Sequence, residues 1–96
     1  MRKSNPKHIS NSIKSVFHQL GLGIKLREYE ILDAWPRIVG KQIAKVTNAE
    51  RINDGKLFIH VASSTWRSEL VFLKKELIRK INQAMNQEIV KDIIFR

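Results

Sequence analysis

The chain has 96 residues, no cysteine, 43% hydrophobic residues and a formal charge of +9. That length suits one domain that buries roughly 60–65% of its unfolded surface, and the apolar share argues against intrinsic disorder. The missing cysteine excludes disulfides and thiolate metal sites. The basic opening MRKSNPKHIS has no apolar run of a signal peptide, and no stretch approaches the ~20 apolar residues that span a bilayer, so a cytoplasmic protein without a membrane partner is expected.

SNPKHISNSIKSVFHQLGLG predicts a first helix. Asn5 suits its N-cap and Pro6 its first turn, and residues 1–5 are expected to be flexible. Ile9, Ile13, Val16, Phe17 and Leu20 share one face, and Gly21 and Gly23 end the helix. From Lys25 to Val46 the period is again helical, through Tyr29, Leu32, Trp35, Val39 and Ile43. Pro36 lacks a backbone donor and crowds the preceding turn. A helix to about Ala34 is therefore expected, then a shorter one with Pro36 in its first turn.

The period then shortens. Asp54-Gly55 is a hairpin turn signal between two extended runs, and in the second run Leu57, Ile59 and Val61 alternate with Phe58, His60 and Ala62. A long helix is predicted from about Trp66 to Asn86, capped by Ser64 or Thr65. Its buried stripe is Trp66, Leu70, Leu73, Leu77, Ile81 and Ala84, with Val71, Ile78 and Met85 flanking. EIVKDIIFR reads as a final strand. The order predicts an α+β fold with helices packed on one face of a small sheet.

The positive charge is segregated. Residues 1–27 carry Arg2, Lys3, Lys7, Lys14, Lys25 and Arg27 without an acid, and residues 34–49 carry Arg37, Lys41 and Lys45 without one. The rest of the chain is balanced. Such asymmetry suggests a polyanionic partner. Residues four apart on one helix advance about 40°, so Arg37, Lys41 and Lys45 are expected to form a basic ladder. Like charges at that spacing repel by ~0.2–0.5 kcal/mol per pair, an arrangement that suits a phosphate backbone better than folding. Lys7 and Lys14 are candidate phosphate contacts from the first helix.

On the long helix Phe72 falls about 100° from the core stripe, with Ser68, Lys75, Glu76 and Arg79 beside it. An aromatic among cations can stack a base or anchor a protein, so Lys75 and Arg79 are candidate nucleic-acid contacts and Phe72 a candidate partner contact. Phe58 and His60 pose the same question from the sheet. Trp66, preceded by Ser63, Ser64 and Thr65, is read as a structural residue filling a strand–helix corner, and Trp35 likewise. His8, His18 and His60 have no metal-ligand spacing. No nucleophile motif, phosphate loop or carboxylate pair is present. The expectation is a protein without enzymatic activity, cofactor, metal or small-molecule substrate.

Taken as a set, Trp35 with Ile38-Val39-Gly40, Asp54-Gly55-Lys56-Leu57, Val61, Ser63-Ser64, Trp66, Glu69-Leu70 and Ile93-Ile94-Phe95-Arg96 resemble the DciA family over about Glu28 to Arg96. The resemblance implies a compact single domain over 1–96 with a KH-like fold. It also implies binding to DNA and to the replicative hexameric helicase of bacteria, which members help to load, and hence association with the nucleoid. Two features depart from the pattern. Val46-Thr47-Asn48-Ala49 stands where members often have His-Ser/Thr-x-Pro, and the Gly-x-x-Gly clamp of KH modules is absent, so their way of gripping RNA does not carry over. Many members also carry a long, often disordered extension. The alternatives are a protein-interaction module that does not touch DNA, and a small RNA-binding protein of the same fold.

Overall fold

The computed structural model describes residues 11–96. Asn5, Pro6, Lys7 and Ile9, and the expected flexibility of residues 1–5, lie outside them. Helices α1 (Asn11–Gln19), α2 (Gly23–Val39) and α3 (Lys41–Ala44) precede a hairpin of β1 (Thr47–Asn53) and β2 (Lys56–Val61). Helices α4 (Ser64–Phe72) and α5 (Lys74–Met85) then lead to β3 (Asp92–Phe95). The sheet order is β1-β2-β3, with β1 antiparallel and β3 parallel to the central strand. This is the expected α+β arrangement.

Helix α1 stops at Gly21 as expected. The Leu22 amide donates to Phe17 and the Gly21 amide to His18, with Gly21 at φ +70°, the two bonds of a glycine-terminated helix end. Gly23 does not end α1; it opens α2.

Pro36 does not break α2, contrary to expectation. The helix runs through it to Val39. The proline nitrogen cannot donate to the Leu32 carbonyl, but its neighbour Trp35 is 1% exposed. The Trp35 indole donates to the Thr47 hydroxyl at 2.9 Å, and that hydroxyl donates on to the Ile43 carbonyl at 2.7 Å. Burial and this relay hold the helix on course. The chain turns instead at Gly40, whose φ of +89° and ψ of 168° favour glycine. The inner face of α2 is Glu28, Ile31 and Trp35, while Tyr29, expected to face inward, is half exposed.

Asp54 and Gly55, at φ +52° and +81°, make the predicted tight turn. Glu50 is bulged out of the β1–β2 pairing. That extra residue lets Ala49 and Ile52, three apart, both pack on the core while Glu50 and Arg51 stay exposed.

The helix expected from Trp66 to Asn86 is two. It breaks at Leu73 (φ −96°, ψ 4°), which stands 40% exposed although its spacing puts it on the buried stripe. Ala84 is also exposed, and Met85 takes its place in the core. The cap is Ser63, whose hydroxyl accepts from the Trp66 amide at 3.1 Å, rather than Ser64 or Thr65. Trp66 packs half-buried against the core at this corner. After Asn86, in the left-handed region at φ +57°, the side chain of Asn82 clamps the returning chain. It accepts from the Ile89 and Val90 amides at 3.0 and 2.9 Å and donates to the Val90 carbonyl at 3.0 Å. Residues 89 and 90 are thus tied to α5, which is why β3 begins at Asp92 and not at Glu88.

The core joins Ile31 and Trp35 of α2, Leu57, Ile59 and Val61 of β2, Leu70, Leu77, Ile81 and Met85 of α4 and α5, and Ile89, Val90 and Ile93. The buried residues of β2 are its odd positions. The even positions point to the other face, where Phe58 is half-buried and Lys56 and His60 are exposed. Among the described residues, helices therefore cover one face of the sheet only.

Candidate nucleic-acid interface

The basic ladder is not a feature of one helix. Arg37 lies in the last turn of α2, Lys41 opens α3 and Lys45 caps its C-terminus. Gly40 reorients the chain between the first and the second, so the 40° advance does not apply. All three side chains are exposed. No ion pair among the described residues involves Lys41 or Lys45.

Lys14 and Arg37, assigned to separate elements by sequence, line one open groove of about 740 Å³ together with Arg27. Glu30 and Asp33 share the groove, and Arg27 is bonded within it. It donates to Glu30 at 2.9 Å and to the Met85 carbonyl, tying α2 to the C-terminal end of α5. The groove is therefore of mixed sign.

Lys75 and Arg79 meet along a shallower groove of about 560 Å³ beside Asn82 and Glu88. Arg79 is held by the Glu76 carboxylate and the Gln83 amide oxygen. The Arg79 hydrogen bond and charge hold the Glu76 carboxyl below its ordinary value, and the hydrogen bond to Glu76 and its charge raise the Arg79 guanidinium in turn. Lys75 is thus the more available cation of the two. Phe72 is 86% exposed, with Val71 at 52% and Leu73 at 40% beside it. Because the helix breaks at Leu73, the period that grouped Phe72 with Lys75 and Arg79 does not run unbroken between them.

One constellation escaped the sequence reading. On the open sheet face the guanidinium carbon of Arg51 lies 4.2 Å from the centroid of the Phe58 ring, and that of Arg96 lies 5.1 Å from it. Arg51 sits opposite Phe58 in the ladder. The Arg96 amide donates to the Ile59 carbonyl at 2.9 Å, continuing β3 alongside β2. Half of this was available from sequence. A two-residue turn at Asp54-Gly55 pairs Asn53 with Lys56, and counting back puts Arg51 opposite Phe58. Arg96 stood in the sequence only as the close of the family resemblance, with nothing to place it beside Phe58.

Among the described residues no His, Cys, Asp and Glu side chains gather as a metal-ligand group, and no helix is long and apolar enough to cross a membrane.

The geometry defines a small basic α+β protein with one sheet face left open by its described helices. The model of the family described as "Dna[CI] antecedent, DciA" matches residues 8–95, and the chain belongs to that family. It is 25% identical over 89 residues to a UPF0232 protein of Mycobacterium tuberculosis, covering 93% of this chain and 48% of that one. A UPF0232 protein of Rhodococcus jostii is also 25% identical over 89 residues, covering 93% and 47%. One of Corynebacterium glutamicum is 30% identical over 59 residues, covering 62% and 33%. The chain thus spans about half the length, or less, of these curated relatives.

Proposed function

We propose that this protein is a non-enzymatic nucleic-acid-binding factor that assists loading of the replicative DNA helicase in bacteria and works at the nucleoid. Family membership supports the place beside the helicase. The observation that carries DNA binding is the charge, a net +9 whose excess lies wholly in two acid-free segments of the N-terminal half. Lys14, Arg37, Lys41, Lys45 and Lys75, all exposed, contact phosphates without reading sequence. Lys7 and Arg79 assist them. A few such contacts give weak, salt-sensitive affinity, which suits a factor that acts beside a ring helicase and then leaves.

The test supplies helicase and this protein to closed circular single-stranded DNA and follows ATP-dependent unwinding of an annealed strand. The reading expects faster onset of unwinding with the protein present, and it fails if onset is the same without it. A second reading, a protein-interaction module without DNA contact, is favoured by the 86% exposure of Phe72. It predicts that Phe72→Ala abolishes helicase capture while DNA affinity was never measurable.

A further inference from the structure

The outward face of the middle strand holds an aromatic ring with two guanidinium groups close to it. Phe58 points away from the core by the alternation that buries Leu57 and Ile59. Its parallel neighbour Ile94 shares that face, half-buried. Arg51 is in no ion pair among the described residues, and its guanidinium lies over the Phe58 ring at 4.2 Å. Two acids stand on the same face, and each already holds a cation: Glu50 holds Arg96 at 3.3 Å and Asp92 holds Lys74 at 3.1 Å.

A ring with two guanidinium groups beside it, on a sheet face that the described helices leave open, has one natural class of ligand. Every nucleobase has a π-face, which stacks on phenyl or guanidinium planes alike, and its phosphates seek the same cations. A duplex hides its base faces and gains nothing from the ring. An acidic peptide would use the arginines but leave Phe58 unexplained. We infer that Arg51, Phe58 and Arg96 form a stacking platform for one or two bases of single-stranded DNA. The inference rests on the proposed nucleic-acid binding and adds to it a strand preference and a second contact surface, distinct from the lysines of α3.

The test is fluorescence anisotropy on the full chain with a labelled oligothymidylate and a labelled hairpin duplex, at several salt concentrations. Phe58→Leu keeps the apolar bulk and removes the ring; Phe58→Tyr keeps the ring. Stacking is worth ~1–3 kcal/mol per base, so Phe58→Leu is expected to weaken single-strand binding by about 5- to 150-fold. Duplex binding and the salt slope should be unchanged, and Phe58→Tyr should restore affinity. Arg51→Gln should lower the single-strand salt slope by about 0.7. Equal loss on both DNAs, or no loss on the single strand, overturns the platform while leaving nucleic-acid binding in place. If the wild-type chain binds neither DNA, the proposed function fails and the platform fails with it. Thermal melting of Phe58→Leu separates a lost contact from a lost fold.

Discussion

Asn82 does more for this fold than its exposed-looking context suggests. Its amide satisfies two backbone amides and one carbonyl in the segment that carries buried Ile89 and Val90 into the core. Asn82→Ala leaves those groups without partners where water reaches them poorly, so a loss of about 2–4 kcal/mol in urea-unfolding stability is expected. Asn82→Asp keeps the acceptor and should cost less. The sequence offered no sign of this clamp, because an asparagine on a helix face is ordinary and its partners lie 7 and 8 residues on, in a loop. Asp92 behaves differently. The hydrogen bond from Lys74, with help from the Ile93 amide, holds its carboxyl below the usual aspartate range. A group whose pKa is depressed by folding stabilises the fold above its unfolded pKa of ~4 and loses that contribution as pH falls through the folded value. Lys74→Gln should therefore be less stable than wild type at neutral pH, by a small margin because the pair is partly solvated. The gap should close in acid-unfolding curves below about pH 4, and a gap that stayed constant down to pH 2 would remove the pair from the account.

Among the elements, those set by local chemistry were legible and those set by packing were not. Asp54-Gly55 announced its turn because few residue pairs accept two positive φ angles in succession. Gly21 announced the end of α1 for a similar reason. Pro36 misled, because proline's local cost is fixed while the burial of Trp35 and Ile31 that outweighs it depends on the whole fold. The break at Leu73 had no glycine or proline to mark it. Two substitutions test these placements. If Pro36 lies inside α2, Pro36→Ala restores the bond to the Leu32 carbonyl and raises stability by about 1 kcal/mol or more in chemical denaturation; a proline at a helix start would give no such gain. At Gly40 an added Cβ meets nothing within 4 Å. Yet Gly40→Ala should destabilise by about 1–3 kcal/mol, because the cost lies in the backbone angle and not in a clash.

For the whole molecule the candidate site was partly legible. The charge excess and its segregation need only counting, and exposure of Lys14, Arg37, Lys41, Lys45 and Lys75 agrees with a solvent-facing role. Their grouping was not legible, since it depends on where the chain turns. The turn at Gly40 separates Arg37 from α3, and the packing of α1 on α2 joins Arg37 to Lys14 instead. The α1–α2 pair also leaves apolar side chains in solvent, with Val16 at 50%, Leu20 at 65% and Ile24 at 52% exposed. Such a face contributes little to stability. Val16→Ser is therefore expected to change the melting temperature by less than about 2 °C, whereas Ile81→Ala in the core should cost about 2–5 kcal/mol.

The most direct measurement is a salt titration of DNA affinity, comparing wild type with the triple change of Arg37, Lys41 and Lys45 to Gln. If these residues contact phosphates, the plot of log affinity against log salt loses about 2–3 units of slope, three contacts at ~0.7–0.9 each. The circular dichroism spectrum should be unchanged, since all three side chains are exposed. An unchanged slope, or no DNA binding by the wild type at low salt, would contradict the claim that this charge exists to hold nucleic acid.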